Sequence, residues 1–246
     1  PLNVFLTPEG YPLIGATYLP PDRFNELLLR IHRVWTDERG RMRNLARRTL
    51  LQLQLNETEG LAEPLSPTLL RQRLLQDTLQ IADSMQGGFG EQSRFPMAPQ
   101  LLALLDLQHA SPDPRLAEFL TLTLDQMAQR GLRDHLGGGF FRYTVDPGWL
   151  VPHCEKMLYT QALLAEVFMR AADVFGRDDY AEVARDTLHF VAREMRGPLG
   201  GYVASFSAVD GAGREGAVYL WAIEDLHRVL GERDTALARR YWAMLD

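Results

Sequence analysis

One short segment, VPHCEKMLY (Val151–Tyr159), places an imidazole at His153, a thiol at Cys154, a carboxylate at Glu155, an ammonium at Lys156 and a phenol at Tyr159. An imidazole and a carboxylate this close can share general acid and base work, and a neighbouring cation can stabilise negative charge that develops during reaction. Cys154 and Lys156 are the only cysteine and the only lysine in 246 residues, since every other basic side chain is arginine. Pro152 suits the first turn of a helix, so a helix over 152–175 is expected, with His153, Glu155 and Lys156 in its first turn. A lysine there opposes the helix dipole, so it must answer a carboxylate: Glu155, Asp134, Asp146 or one from a later loop.

Two further stretches carry groups of the same kind. FFRYTVDPGW (140–149) supplies Arg142, Tyr143, Asp146 and Trp149, and GEQSRFP (90–96) supplies Arg94 and Phe95. Aromatic rings beside arginine and carboxylate suit a sugar, whose ring faces stack while its hydroxyls need donors and acceptors. The expected site therefore has His153, Glu155 and Lys156 at the reacting atoms. Arg94, Phe95, Arg142, Tyr143, Asp146, Trp149 and Tyr159 would hold the substrate. A second reading stays open at this point: the same charges could form a buried polar network that ties loop to helix. Cys154 reads as a small buried hydrophobe rather than a nucleophile. GGFG (87–90) lacks the spacing of a phosphate loop, and His32, His109, His135, His189 and His227 show no ligand spacing, so neither a metal nor a cofactor is expected.

Composition narrows the partners. Net charge is −6 with no basic block, which argues against nucleic acid, and no apolar run is long enough to span a bilayer. A soluble, cytoplasmic protein with a small-molecule ligand is expected; oligomeric state is not read. One cysteine rules out an internal disulfide framework within these residues. The chain starts at Pro1 inside an apolar run and stops at Asp246 inside a helical pattern, so both ends read as breaks.

Two regions position these residues. Residues 2–7 and 12–18 read as strands around a Pro8-Glu9-Gly10 turn, followed by a helix from Pro21 to about Gln54 with a break near Gly40. From about residue 60 the pattern is helical: 67–86, 97–109, 113–131, 152–175, 178–195 and 222–230. The connections alternate short and long, and each long one contains Gly-Gly and an aromatic: GGFG, GGGFF (137–141) and GGY (200–202). Antiparallel neighbours place all three long loops on one rim. The third reads as a β-hairpin turning at Asp210-Gly211. Helix 178–195 puts Tyr180, Ala184, Leu188, Val191 and Met195 on one face, with Glu182, Asp186, His189 and Arg193 opposite. Helix 152–175 is apolar nearly all round. Outer and inner helices in alternation describe a mainly α fold, an (α/α) toroid of which three hairpins, about half of six, are present.

LNVFLTPEGYPLIGATYLPP, GGFGEQSRFP, LGGGFFRYTVDPGWLVPHCEKMLY and GGYVAS…EGAVYLW resemble the YyaL-type, spermatogenesis-associated thioredoxin-like proteins. The resemblance implies residues 1–55 as the C-terminal part of a thioredoxin-like α/β domain. Residues 56–246 would be the N-terminal half of a six-hairpin glycosidase-like (α/α)6 barrel. It also implies that Pro1 is the cis-proline facing an active-site cysteine motif upstream. The chain departs from the family's pattern in having Cys154 for an aromatic, Thr160 for Asp, and Ser207-Ala208-Val209-Asp210 for Asp-Ala-Asp-Ser. Glycoside hydrolysis uses a carboxyl pair, so Asp210 or Glu215 would have to substitute. The expectation is a carbohydrate-binding or carbohydrate-modifying site on the long-loop rim. The alternatives are a thiol-redox protein with cysteines upstream, or a non-enzymatic interaction scaffold.

Overall fold

The structure, a computed structural model, describes residues 2–59 and 66–242. It forms two compact units, the first running to Leu69 and the second beginning at Leu70.

In the first unit, alternating apolar residues form an antiparallel hairpin of β1 (Asn3–Leu6) and β2 (Pro12–Ala16), with Val4 opposite Gly15 and Phe5 opposite Ile14. The turn closes through Gly10 N donating to Thr7 O at 2.9 Å, and Gly10 takes φ +85°, which suits glycine. Two helices follow, α1 (Pro21–Asp37) and α2 (Arg39–Glu59). The break falls at Glu38, φ −128° and ψ 33°, near Gly40 as expected. Only Thr7 and Ala46 are buried among the described residues of this unit, so a hairpin and two helices enclose almost no core. The cis-proline expected at Pro1 lies outside the described residues.

The second unit is a succession of helices, α3 (Pro67–Ile81), α4 (Ala98–Ala110), α5 (Pro114–Gln129), α6 (Leu158–Phe175), α7 (Asp178–Phe190) and α8 (Ile223–Tyr241). Asp113 caps α5, its carboxylate accepting from Arg115 N at 2.8 Å, with Pro114 next as a preorganised first residue. The apolar stripe Leu116, Phe119, Leu120, Leu124 and Met127 then faces the core. Leu101, Leu104 and Leu105 of α4 and Leu164, Val167, Phe168 and Ala171 of α6 meet it there. Burying a leucine-sized side chain stabilises by about 1.5–3 kcal/mol, so this cluster is what holds the helices together.

Two expected faces shift. On α7, Tyr180, Ala184 and the following Met195 are buried as the periodicity predicts, but Leu188 is exposed and Val183, Thr187 and Phe190 are inside. Thr187 can be buried because its hydroxyl donates to Val183 O at 2.8 Å. The last turn, Val191–Met195, widens into a π-helix. On α6 the second apolar face is split: Ala165 is buried, while Ala162 and Met169 are exposed. α6 packs against α4, α7 and the π-helical turn that follows α7. In α8, Gly231 leaves helical geometry (φ 76°, ψ 174°), close to where the predicted helix stopped.

The first two long connections share one turn and the third has a shorter relative of it, in keeping with their Gly-Gly-aromatic sequence. In the first, Asp83 Oδ1 accepts Met85 N and Gln86 N, Asp83 N donates to Gly88 O, and Ala82 bridges Phe89. In the second, Asp134 Oδ1 accepts Leu136 N and Gly137 N, Asp134 N donates to Gly139 O, and Arg133 bridges Phe140. In the third, Gly197 stands where the aspartates stand, and Arg196 bridges Tyr202. The glycines are needed for closeness as well as backbone shape. At Gly87, φ +69°, a Cβ would lie 2.7 Å from Thr123 Cα; at Gly139, φ +74°, one would lie 2.4 Å from the Phe190 ring.

Candidate functional site

The three loops are stitched to one another by backbone pairing, and this corrects the expected start of α6. Pro152–His153 (β4) pairs antiparallel with Tyr143–Thr144 (β3), and Lys156–Met157 (β5) pairs with Ser205–Phe206 (β6). The helix therefore begins at Leu158, and His153, Glu155 and Lys156 sit on extended chain. Proline's fixed φ fits an extended edge as well as a helix start; the partner of β4 lies earlier in the same loop, and that of β5 in the third loop.

Lys156 has 1% of its surface exposed. Its Nζ donates to Asp134 Oδ2 at 2.6 Å and to Gly138 O at 2.7 Å, and lies 4.5–5.0 Å from the ring centres of Phe141, Phe190 and Tyr219. Burial pulls the ammonium below the ordinary lysine range, and Asp134 opposes that pull. Burial alone would push the Asp134 carboxyl up, but Lys156 and the N–H groups of Gly137 and Leu136 outweigh it and hold it below the usual carboxylate range. Lys156 thus answers Asp134, one of the carboxylates the sequence offered. Arg94 does the same in the preceding turn. It is fully buried, pairs with Asp83, and donates to Gly90 O and, at 3.0 Å, to Pro147 O. Each turn aspartate gives one oxygen to backbone N–H groups and the other to a buried cation.

Other expected site residues are also anchors. Asp146 accepts from Gly148 N (2.8 Å), Leu150 N (3.1 Å) and Val151 N (2.6 Å). Burial raises its carboxyl, but these donors more than offset that and leave it lowered. Trp149 is fully buried at φ +62° and donates from Nε1 to Gln86 O at 2.9 Å. Cys154 is buried, and desolvation followed by the Glu215 charge pushes its thiol up, as suits a packing residue.

The remaining residues converge. Phe95 stacks on Tyr143 (4.5 Å between ring centres, 15° apart), and Tyr143 stacks on His153 (4.9 Å, 25°). Glu215, on the third-loop hairpin, contacts His153 Nδ1 at 2.6 Å. His153 Nε2 is 3.9 Å from Glu155 Oε2, too far for a hydrogen bond, and has no other partner among the described residues. Glu155 is held instead by Arg142 at 2.8 Å. The Glu155 hydrogen bond raises the Arg142 guanidinium against the opposing effect of burial, and Tyr159 adds to it. Arg142 Nε is buried without a partner. Arg142 thus links Glu155 to Tyr159.

Two cavities flank this group. A cleft of about 160 Å³ lies at the N-terminal ends of α4 and α6, walled by Phe95, Met97, Gln100, Arg142, Tyr159 and Thr160. A larger apolar groove of about 920 Å³ is lined by Phe141, Cys154, Glu215, Tyr219, Leu220 and Trp221. Burial pushes the Tyr219 phenol up to about 12. Asp134 and Glu215 are the functional neighbours that residue type alone did not single out. Asp134 was one of several possible partners for Lys156, and Glu215 one of two possible replacements in the hairpin. No helix among the described residues is long and apolar enough to cross a membrane. No group of three or more His, Cys, Asp or Glu residues among them could hold a metal ion.

No family model matches the chain. It is 34% identical over 251 residues to spermatogenesis-associated protein 20 of Homo sapiens, covering 94% of this chain and 32% of that protein. The Rattus norvegicus counterpart is 33% identical over the same shares. An uncharacterized Caenorhabditis elegans protein is 28% identical, covering 100% of this chain and 36% of its own. The chain spans about a third of the length of these relatives. Among solved structures, it resembles a cellobiose 2-epimerase from Spirochaeta thermophila (TM-score 0.50, 20% identity, 73% of this chain, 54% of that one). It also resembles a sugar epimerase from a ruminal bacterium (TM-score 0.50, 14% identity, 68% and 50%). These likenesses show the fold: the second unit is part of an (α/α)6 toroid.

Proposed function

We propose, for a chain homologous to spermatogenesis-associated protein 20, that the long-loop rim of the partial toroid binds and modifies a sugar, with His153 as the group that moves the proton. The observation that carries this is the free Nε2 of His153. It lies on an aromatic ladder, beside an Arg142–Glu155 pair whose arginine walls the smaller cleft. Phe95 and Tyr159, both half-exposed, offer ring faces, and Arg142 offers donors to hydroxyls.

The two carboxylates are both engaged, Glu155 with Arg142 and Glu215 with His153. Neither is free to protonate a glycosidic oxygen, so the arrangement favours proton transfer on a reducing sugar over glycoside hydrolysis. His153 Nε2 takes the proton from the carbon next to the carbonyl, and the C–H electron pair forms the enediolate double bond. Arg142 and Tyr159 face the oxygen that becomes negative. His153 returns the proton to the neighbouring carbon while the enediol hydroxyl proton passes to the negative oxygen, which gives the isomer; the epimer requires that the enediolate first turn its opposite face to His153. That the solved neighbours are named as sugar epimerases agrees with this chemistry. Lys156 acts at a distance, fixing the turn of the second loop and touching the third through the Tyr219 ring.

The thioredoxin-like assignment of residues 1–55, with the barrel from 56, belongs to the same proposal. It is supported by the hairpin–helix order and by a unit that buries little by itself. The test is solvent-deuterium uptake. The complete protein is mixed in D2O with a panel of reducing mono- and disaccharides, and 1H NMR follows the proton next to the carbonyl. Uptake that His153→Gln abolishes supports the proposal; no uptake and no ligand-induced rise in Tm across the panel removes it.

A further inference from the structure

We infer that Glu215 is a positioning residue that decides which nitrogen of His153 faces the ligand. An ionised carboxylate only accepts hydrogen bonds. With Glu215 Oε1 2.6 Å from Nδ1, the proton sits on Nδ1, and Nε2 carries the lone pair. The opposite tautomer would set the Nδ1 lone pair against a carboxylate oxygen at the same distance. The proton's place on a histidine ring is commonly set by the bond the other nitrogen makes, and here that other bond comes from a different loop.

Both partners are held still. His153 is paired through its backbone to Tyr143 and stacked on that ring. Glu215 is paired to Val209, and Gly216 N donates to Ala208 O at 2.8 Å. The third loop is anchored independently by β6 on β5 and by Tyr219 edge-on to Phe141, 5.0 Å between ring centres. Asp210 cannot substitute, because its carboxylate accepts Ala212 N and Arg214 N, each at 2.9 Å, within its own turn. The hairpin therefore delivers one carboxylate to the imidazole, and it is Glu215.

The catalytic consequence rests on the function proposed above, but the tautomer is read without any sugar. The experiment is long-range 1H–15N correlation on the complete protein with 15N-labelled histidine, at mildly alkaline pH, with the His153 signals assigned from His153→Gln. The expected result is an Nδ1–H imidazole in the wild type; Glu215→Gln, whose amide can accept from Nδ1–H or donate to a bare Nδ1, should no longer fix the tautomer. In Glu215→Ala the ring should revert to the Nε2–H form that free imidazole favours. Glu215→Leu, of similar bulk, provides the same loss if the alanine variant folds poorly. A wild-type Nε2–H ring, or an Nδ1–H ring that survives in Glu215→Ala and Glu215→Leu, overturns the inference. With a turned-over sugar in hand, Glu215→Ala and Glu215→Gln should each lower kcat by roughly 10²–10⁴-fold at little-changed KM. A wild type without turnover removes the proposed reaction and leaves the tautomer result to stand or fall by itself.

Discussion

Replacing Lys156 with methionine separates the anchoring network from the reacting group. The Lys156 side chain is 2% exposed and that of Asp134 is 11% exposed, so the substitution leaves a carboxylate in a nearly dry site. Removing one partner of a buried ion pair costs about 3–5 kcal/mol. Asp134 keeps the Leu136 and Gly137 N–H groups, and methionine refills the cage of Phe141, Phe190 and Tyr219, which favours the lower end, about 3 kcal/mol. For a domain of this size each kcal/mol moves Tm by about 2–4 °C, so Lys156→Met should melt about 6–12 °C lower. Adding Asp134→Asn removes the stranded charge while the amide oxygen still accepts the turn's N–H groups. The double variant should return to within about 1 kcal/mol of wild type, since buried pairs are often replaceable together. Lys156→Arg should not rescue, because a planar guanidinium overfills a cage with rings 4.5–5.0 Å from the ammonium and overpacking costs about 1–3 kcal/mol. The assay is a double-mutant cycle by thermal and urea unfolding of the complete protein. Single variants within 1 kcal/mol of wild type, or strictly additive effects, would refute the claim that this pair organises the loops.

Three further outcomes follow from the same geometry. Gly87→Ala adds a Cβ 2.7 Å from Thr123 Cα at φ +69°, so unfolding should show a loss of about 2–5 kcal/mol from left-handed strain and overpacking together; a neutral variant would mean the turn can open. The carboxyls of Asp83, Asp134 and Asp146 are all lowered in the folded chain. Their stabilisation is complete above the unfolded carboxylate value of about 3.9 and is lost as pH falls through the lower folded values. Acid titration followed by near-UV circular dichroism should therefore hold flat to about pH 4 and fall below it, and Asp134→Asn should flatten that limb. Phe95→Ala removes one ring of the Phe95–Tyr143–His153 ladder. It should weaken sugar affinity by about 0.5–1.5 kcal/mol in calorimetric titration while leaving the tautomer of His153 unchanged.

The helical hairpins were legible because of their apolar stripes, with a proline at the start of α3, α4 and α5, and the three long loops because Gly-Gly-aromatic recurs. The partner of Lys156 was within reach of chemical reasoning, since a buried ammonium needs a carboxylate and Asp134 was among the few nearby. The strand pairs around Val151–Met157 were not legible. Lys156 meets Phe206 and His153 meets Glu215 only after two loops fold together, and Pro152 is equally at home at a helix start or in extended chain. Residue type was ambiguous at Arg94, Asp146 and Trp149. An arginine, a carboxylate and an indole in a loop look alike whether they face a ligand or satisfy carbonyls and N–H groups, and here they do the latter. Phe95, Arg142, Tyr143, His153, Glu155 and Tyr159 are the part of the expected site that the fold brings together.

The most direct test of the central claim is the loss of the proton beside the carbonyl of reducing sugars in D2O, followed by 1H NMR with the complete protein, its His153→Gln variant and its Lys156→Met/Asp134→Asn variant. The account predicts deuterium uptake by the wild type, none above background with His153→Gln, and substantial uptake retained when the anchoring pair is replaced together. Equal uptake by wild type and His153→Gln, or none by either alongside no sugar-dependent rise in Tm, would contradict it.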